Sequence, residues 1–252
     1  MGAAAQVRMR RRVVLLGCLL ATAVFAAPTP VLAQQGFEWQ SNWSVRRRYS
    51  LEIDTSGYEL PTAIAFVPQP GPGPKDPLYF VTELRGTIKV ITNDRSIFTF
   101  AKGFFTLRPV PAVNRSDSVE VGLTGICLEP QRGYVFVTFA YHDVRGFLRN
   151  NIARFQSRPG RFSVTPQASV DFREVFVSDQ SSVSHQIGPC HIHQGHLYAA
   201  SGDGGQPNQS RVLDSTLGKI LRMTLDGRAP PTIPSSGPRT HPHPPGMSGP
   251  QG

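Results

Sequence analysis

Two short segments in the second half of the sequence carry the residues best suited to acid–base chemistry. His185 opens the first segment, and Asp203 lies near the end of the second, which runs from His196 to Gly205. A histidine whose ring is held by a carboxylate has a fixed tautomer and acts as a general base near neutral pH. The spacing alone leaves another interpretation open, in which His185 caps a turn and Asp203 begins an Asp-Gly-Gly turn.

Two further groups of polar side chains are weaker candidates for a site. Glu120 precedes the motif Gly122-Leu123-Thr124-Gly125, and a solvated loop carboxylate is its default interpretation. His191, His193 and His196 follow one another closely, and the first two share a face of any strand, as metal ligands would. No cysteine or carboxylate completes that set. The sequence therefore predicts surface or turn histidines and no metal site.

These residues belong to a repeat of about 62 residues. Its units open at Ala63, Gly125 and Gly188, which lie 62 and 63 residues apart. Each unit has a short apolar strand, a tight turn, an apolar-aromatic strand, a loop and an alternating strand such as residues 87–92. Repeated sheets of this length are typical of β-propeller blades, which bury both faces only by stacking. A β-sandwich is the alternative, and it predicts no equivalence between units.

The blade interpretation places the candidate residues relative to one another. His185 would begin an inner strand near the central channel, and Asp203 would end the next strand. Antiparallel neighbours bring these two ends together. Glu120, at the mouth of the second blade, could face the same channel. Outer fourth strands are expected, less clearly, at residues 96–102 and 161–167.

Two cysteines occupy equivalent positions in successive units. Cys127 and Cys190 each follow the opening glycine by two residues, which could place them on adjacent inner strands. A disulfide requires Cα atoms within about 7 Å of each other. Adjacent blades could lie too far apart for this, so the sequence leaves the pairing open.

The ends of the chain differ in composition from the repeats. Four arginines, an apolar run over residues 13–27 and the sequence Val31-Leu32-Ala33 predict a signal peptide over residues 1–33 and no stable membrane insertion. The chain is therefore expected in the periplasm or outside the cell. A lead-in is expected at 34–57 and the partial propeller at 58–229. Residues 230–252 contain eight Pro and four Gly, which predicts a disordered or aberrant tail.

Charge adds little to the functional assignment. The formal net charge of +9 falls to about +5 when the signal is removed. The remaining excess is spread along the chain, apart from the cluster Arg46-Arg47-Arg48. An exported chain of this kind is not expected to bind nucleic acid.

Four elements of the sequence, in order, resemble the quinoprotein glucose/sorbosone dehydrogenase family over about residues 58–234. They are residues 60–66 with 81–88; Gly122-Leu123-Thr124-Gly125; His185-Gln186 with Leu197-Tyr198 and residues 201–205; and residues 217–222 with Asp226-Gly227 and Pro230-Pro231. The resemblance implies an all-β, six-bladed propeller, of which about three blades are present here. It also implies oxidation of aldose sugars with pyrroloquinoline quinone (PQQ), supported by calcium.

The resemblance assigns roles to individual residues. His185 would be the base that removes the proton of the anomeric hydroxyl, and Asp203 would orient it. Glu120 falls near a position that contacts the cofactor in the family, where an amide is common. Gln186, Asn208 and Gln209 are further candidates for cofactor contacts.

Departures from the family pattern limit these expectations. Pro189 replaces the usual Arg or Gly, and the turn before Leu197 is one residue short. The family's basic and amide cofactor ligands and its calcium ligands lie in later blades. The chain is therefore expected to bind PQQ weakly and to be inactive as a fragment. A non-catalytic binding propeller and a calcium-dependent lactonase are the alternatives. The sequence identifies neither the sugar nor the electron acceptor.

Overall fold

The computed structural model describes residues 44–106, 120–166 and 172–231. The predicted signal peptide and nearly all of the predicted C-terminal tail lie outside these residues. No helix in the described ranges is long and apolar enough to cross a membrane. Among the described residues, those up to Glu52 form one compact unit and those from Ile53 onward form another. The first unit contains a turn in which the N–H of Tyr49 donates to the carbonyl of Arg46.

In the part of the second unit that the structure describes there are three antiparallel sheets, each formed by consecutive strands. The first sheet contains β1 (Pro61–Phe66), β2 (Pro77–Glu83), β3 (Thr87–Thr92) and β4 (Ile97–Lys102). The second contains β5 (Gly122–Glu129), β6 (Tyr134–His142), β7 (Leu148–Gln156) and β8 (Arg173–Gln180). The third contains β9 (Ile187–His193), β10 (His196–Ser201) and β11 (Lys219–Thr224), with a 3-10 turn at Pro207–Arg211.

The first strands of the three sheets stand side by side, so that β1 contacts β5 and β5 contacts β9. Thr62 on β1 donates through Oγ1 to the carbonyl of Leu123 on β5, over 2.8 Å. The N–H of Leu123 in turn donates to the carbonyl of Leu84, over 2.9 Å. Sheets that succeed one another around shared inner strands are blades of a propeller. The predicted all-β propeller arrangement is confirmed, and the sandwich alternative is wrong.

Each pair of neighbouring blades encloses its own hydrophobic core. Phe80 and Ile88 of the first blade pack with Leu123 and Val137 of the second, and all four are essentially inaccessible to solvent. A second core joins the second blade to the third; it includes Phe136, Ile152, Leu197 and Met223. Each fully buried side chain of this size contributes about 1.5–3 kcal/mol. Stacking of blades therefore contributes to the stability of the fold, as the repeat predicts.

A disulfide between Cys127 and Cys190 joins the inner strands of the second and third blades. Their Cα atoms lie 5.5 Å apart, within the distance that a disulfide requires. The two strands approach closely because Gly125 has no side chain. A Cβ at that position would lie 2.5 Å from the Cα of Pro189. Pro189, a departure from the family pattern, thus packs against the opening glycine of the preceding blade.

The prediction of a fourth strand at residues 161–167 is wrong. The outer strand of the second blade is β8, at Arg173–Gln180, whereas the predicted β4 is present at Ile97–Lys102. Phe162 has a φ of 60°, which no strand residue adopts, and its ring packs edge-on against Phe80. The alternating apolar residues around position 162 therefore reflect a loop that fills the core between blades.

Gly122 is a position at which any side chain would disturb the contact between the first two blades. Its φ is 136°, and a Cβ there would lie 2.0 Å from the carbonyl oxygen of Leu84. We expect Gly122→Ala to lower the free energy of unfolding by about 2–4 kcal/mol, through backbone strain and steric overlap. Urea denaturation measures this loss.

Gly195→Ala is the matched control for that substitution. Gly195 also has a positive φ, of 72°, but a Cβ added at that position would have no atom within 4 Å. Gly195→Ala should therefore lower the free energy of unfolding by only about 1 kcal/mol, from the backbone conformation alone. Equal losses in the two variants would show that the contact with Leu84 has no energetic weight.

Candidate active site

His185 and Asp203 are hydrogen-bonded to each other at one end of the third blade. His185 Nδ1 lies 2.8 Å from Asp203 Oδ1. The pairing of β9 with β10 explains this contact, because Ile187 is opposite Ser201 and each candidate residue lies two positions beyond that pair. The proximity expected from antiparallel strands is therefore present in the structure.

The electrostatics of the pair define which ring nitrogen is free to accept a proton. The hydrogen bond from His185 is the main cause that lowers the pKa of Asp203, and the backbone N–H groups of Gly205 and Gln206 lower it further. Asp203 is therefore ionised at neutral pH and only accepts hydrogen bonds. In the neutral ring of His185, Nδ1 donates to this carboxylate and the lone pair is on Nε2. The side chain is 61% exposed, so a substrate can reach that nitrogen.

Glu120 lies next to His185, and its observed contact is with the backbone. Glu120 Oε2 accepts a hydrogen bond from the N–H of His185, over 2.7 Å. The N–H of Glu120 donates to the carbonyl of Val183, over 3.1 Å. The loop before β5 is thus attached at two points to the loop before β9.

An open cavity of about 400 Å³ lies beside this contact and is lined by all three blades. Its lining residues are Thr62, Leu84, Glu120, Thr124, Gln186 and Ile187. Thr62, Thr124 and Ile187 are one residue before the opening positions of the three repeats. The sequence pattern assigned no role to these three residues, although the 62-residue spacing between Thr62 and Thr124 was a signal that could have identified them.

The three other residues expected to contact a cofactor have different surroundings. Gln186 is buried, and its amide is engaged by the side chain of Ser181 and the carbonyl of Ser182. Asn208 is exposed and Gln209 is half-buried, and both lie on the 3-10 turn, five and six residues after Asp203. Lys219 holds that turn, because its Nζ donates to the carbonyl of Gln209 over 3.0 Å.

The histidines of the third blade lie on its strands, away from the pair. His193 is opposite His196 in the sheet, and His191 is opposite Tyr198. His196 contacts the carbonyl of Gln194 through Nδ1 and Arg222 through Nε2. Within the described part of the chain, no three His, Cys, Asp or Glu residues are arranged to hold a metal ion.

Comparison with known families identifies the family of the chain. The sequence model of the glucose/sorbosone dehydrogenase family matches residues 58–243. The chain belongs to this family. The match includes all three blades, His185 and Asp203. No curated protein matches the sequence.

Solved structures that are described as glucose or aldose sugar dehydrogenases share the fold. An oxidoreductase of Thermus thermophilus, described as a glucose dehydrogenase, is 26% identical, with a TM-score of 0.55 over 75% of this chain and 50% of that one. The PQQ-bound aldose sugar dehydrogenase of Streptomyces coelicolor is 27% identical, with a TM-score of 0.51 over 74% of this chain and 51% of that one. The chain thus spans about half the length of the solved structures that it matches.

Proposed function

We propose that this member of the glucose/sorbosone dehydrogenase family provides the proton-accepting part of an active site that oxidises aldose sugars with PQQ. The observation that carries the proposal is the 2.8 Å hydrogen bond between His185 Nδ1 and Asp203 Oδ1, on a histidine whose side chain is largely exposed. The PQQ-bound relative from Streptomyces coelicolor supports the choice of cofactor.

In the proposed reaction, the neutral ring of His185 accepts the proton of the anomeric hydroxyl at Nε2. The ring becomes positively charged as the proton arrives. The ionised carboxylate of Asp203, already hydrogen-bonded to Nδ1, stabilises that charge and holds the ring in place. Asp203 in turn accepts a hydrogen bond from the N–H of Gly205, over 2.9 Å, which fixes the carboxylate.

The described residues fit this proton transfer but do not fit the anchoring of the cofactor. PQQ carries three carboxylates, and the ionisable groups in contact with His185 are themselves carboxylates, Glu120 and Asp203. Like charges repel, so this part of the site disfavours a bound anion. The nearby Lys219 donates to three backbone carbonyls of the 3-10 turn region. The proposal therefore assigns proton transfer to this chain and no anchoring of PQQ.

We expect the purified 252-residue chain to bind PQQ weakly, because its site offers carboxylates where the quinone requires cations. Titration of the chain with PQQ, in the presence of calcium and followed by quenching of protein fluorescence, measures the affinity. Added salt should change the affinity little, since no ion pairs form. Stoichiometric binding at micromolar concentrations would show that residues of this chain anchor the quinone.

The expected inactivity of the fragment rests on weak PQQ binding. Dye-linked oxidation of a panel of aldoses therefore tests the reaction itself at PQQ concentrations well above stoichiometric, where binding no longer limits the rate. Oxidation that depends on PQQ supports the proposal. A rate no higher than that of PQQ and dye without protein would contradict it. Neither a lactonase nor a binding propeller is favoured by a specific contact in the described ranges.

A further inference from the structure

The backbone of His185 has a conformation that is unfavourable for any residue other than glycine. Its φ is 55°, in the left-handed region that residues with a side chain rarely adopt. Such a conformation persists only where surrounding contacts impose it, and it is common at functional sites. The direction of the imidazole depends on this backbone, because the left-handed geometry turns the Cα–Cβ bond out of the strand direction.

Three hydrogen bonds hold His185 in this conformation, and we call them the His185 clamp. Asp203 Oδ1 holds the ring at Nδ1, and the N–H of Gly204 donates to the carbonyl of His185 over 3.1 Å. Glu120 Oε2 accepts from the N–H of His185 over 2.7 Å. Asp203 and Gly204 belong to the same turn of the third blade. Glu120 belongs to the loop before β5, and so brings the second blade into the clamp.

The close approach of Gly202 leaves little room for the carbonyl group of His185 to move. A Cβ at Gly202 would lie 2.1 Å from the carbonyl oxygen of His185, so these backbones are already in close contact. Glu120 is itself fixed by the 3.1 Å hydrogen bond from its N–H to the carbonyl of Val183. The Glu120 carboxylate of the second blade therefore holds, through a hydrogen bond, a segment of the third blade that is already in close backbone contact with Gly202.

We propose that Glu120 is a positioning residue, which holds His185 in its left-handed conformation and thereby sets the direction of the proton-accepting Nε2. This role differs from the cofactor contact that the family resemblance suggests for this position. It rests on the proposed function of His185 as a base. Glu120 acts through the backbone N–H, so the acceptor oxygen matters and the negative charge does not.

The test compares variants of the cofactor-free chain by NMR, with 15N-labelled histidine. Glu120→Ala removes the acceptor and Glu120→Gln keeps it. In Glu120→Ala we expect the His185 amide to exchange with solvent at least about tenfold faster, and its ring to show a mixture of tautomers instead of the Nδ1–H form. Glu120→Gln should restore both signals. Glu59→Ala, which removes an exposed carboxylate just before β1, should change neither.

Two results would overturn the proposal. One is that Glu120→Ala keeps the wild-type rate of His185 amide exchange and the wild-type tautomer signals. The other is that Glu120→Gln changes both signals as much as Glu120→Ala does. The signals of His191 and His193, on β9, report whether the blade stays folded. If Glu120→Ala does not fold, Glu120→Asp, one methylene shorter, should show the same changes in a folded protein. Because no cofactor is present, failure here is distinct from failure of the proposed oxidation.

Discussion

In the aldose oxidation proposed above, substitution of His185 by alanine should lower kcat by about 10²–10⁴-fold, the usual contribution of a general base. The ring is exposed and its Nδ1 is bound to Asp203, which leaves Nε2 as the nitrogen that accepts the proton. The protein reconstituted with excess PQQ and calcium would be assayed with a dye acceptor under saturating sugar. Asp203→Asn should also lower kcat, because the neutral amide neither fixes the Nδ1–H tautomer nor stabilises the charge that forms on the ring.

His191→Ala is the matched control for this experiment. His191 lies on β9 of the same blade and is exposed, but pairs with Tyr198 rather than with the site. Its removal should leave kcat and KM unchanged. If His185→Ala retained the wild-type rate while the wild-type rate itself depended on PQQ, another group would have to be the base, and the assignment from geometry would be wrong.

Removal of the disulfide should be the largest single change in stability. The bond between Cys127 and Cys190 closes a loop with a sequence separation of 63 residues. In the chain-entropy description, closing a loop of this length raises the free energy of the unfolded state by about 4 kcal/mol. We expect the double variant Cys127→Ala and Cys190→Ala to lose about that free energy of unfolding, seen as a lower urea midpoint with an unchanged slope.

Reduction of the wild-type protein provides the control for side-chain packing. Both cysteines are buried, so alanine also removes atoms from the core between the second and third blades. Wild-type protein in reductant keeps those atoms and loses only the bond. The two samples should therefore agree to within about 1–2 kcal/mol. Equal midpoints with and without reductant would show that the bond contributes nothing to stability.

The strands and their order follow from local pattern, which is why the sequence predicts them well. Alternation over β3 and the apolar-aromatic composition of β2 and β6 are properties of a few neighbouring residues. The repeat of about 62 residues then indicates how such units stack. The failure at residues 161–167 has the same origin, since Phe162 satisfies the pattern of a strand but is drawn into the core beside Phe80.

In the candidate site, too, the sequence predicts the contact within one hairpin but not the contact between two blades. His185 and Asp203 lie 18 residues apart, at the ends of adjacent antiparallel strands, so the hairpin formed by β9 and β10 determines their proximity. The catalytic role of each remains a proposal. The contact of Glu120 with His185 spans 65 residues and joins two blades, and no local pattern could indicate that its carboxylate would bind a backbone N–H.

The sequence by itself determined the class of this protein: an all-β propeller repeat, the family to which it belongs, and a histidine and an aspartate that meet at the end of one blade. These features depend on period-two alternation and on contacts between adjacent strands, which are local. Only the tertiary structure decided the disulfide between Cys127 and Cys190, the left-handed backbone of His185 and its contact with Glu120. Those features depend on how closely one blade approaches the next, a distance set by packing between residues far apart in the chain.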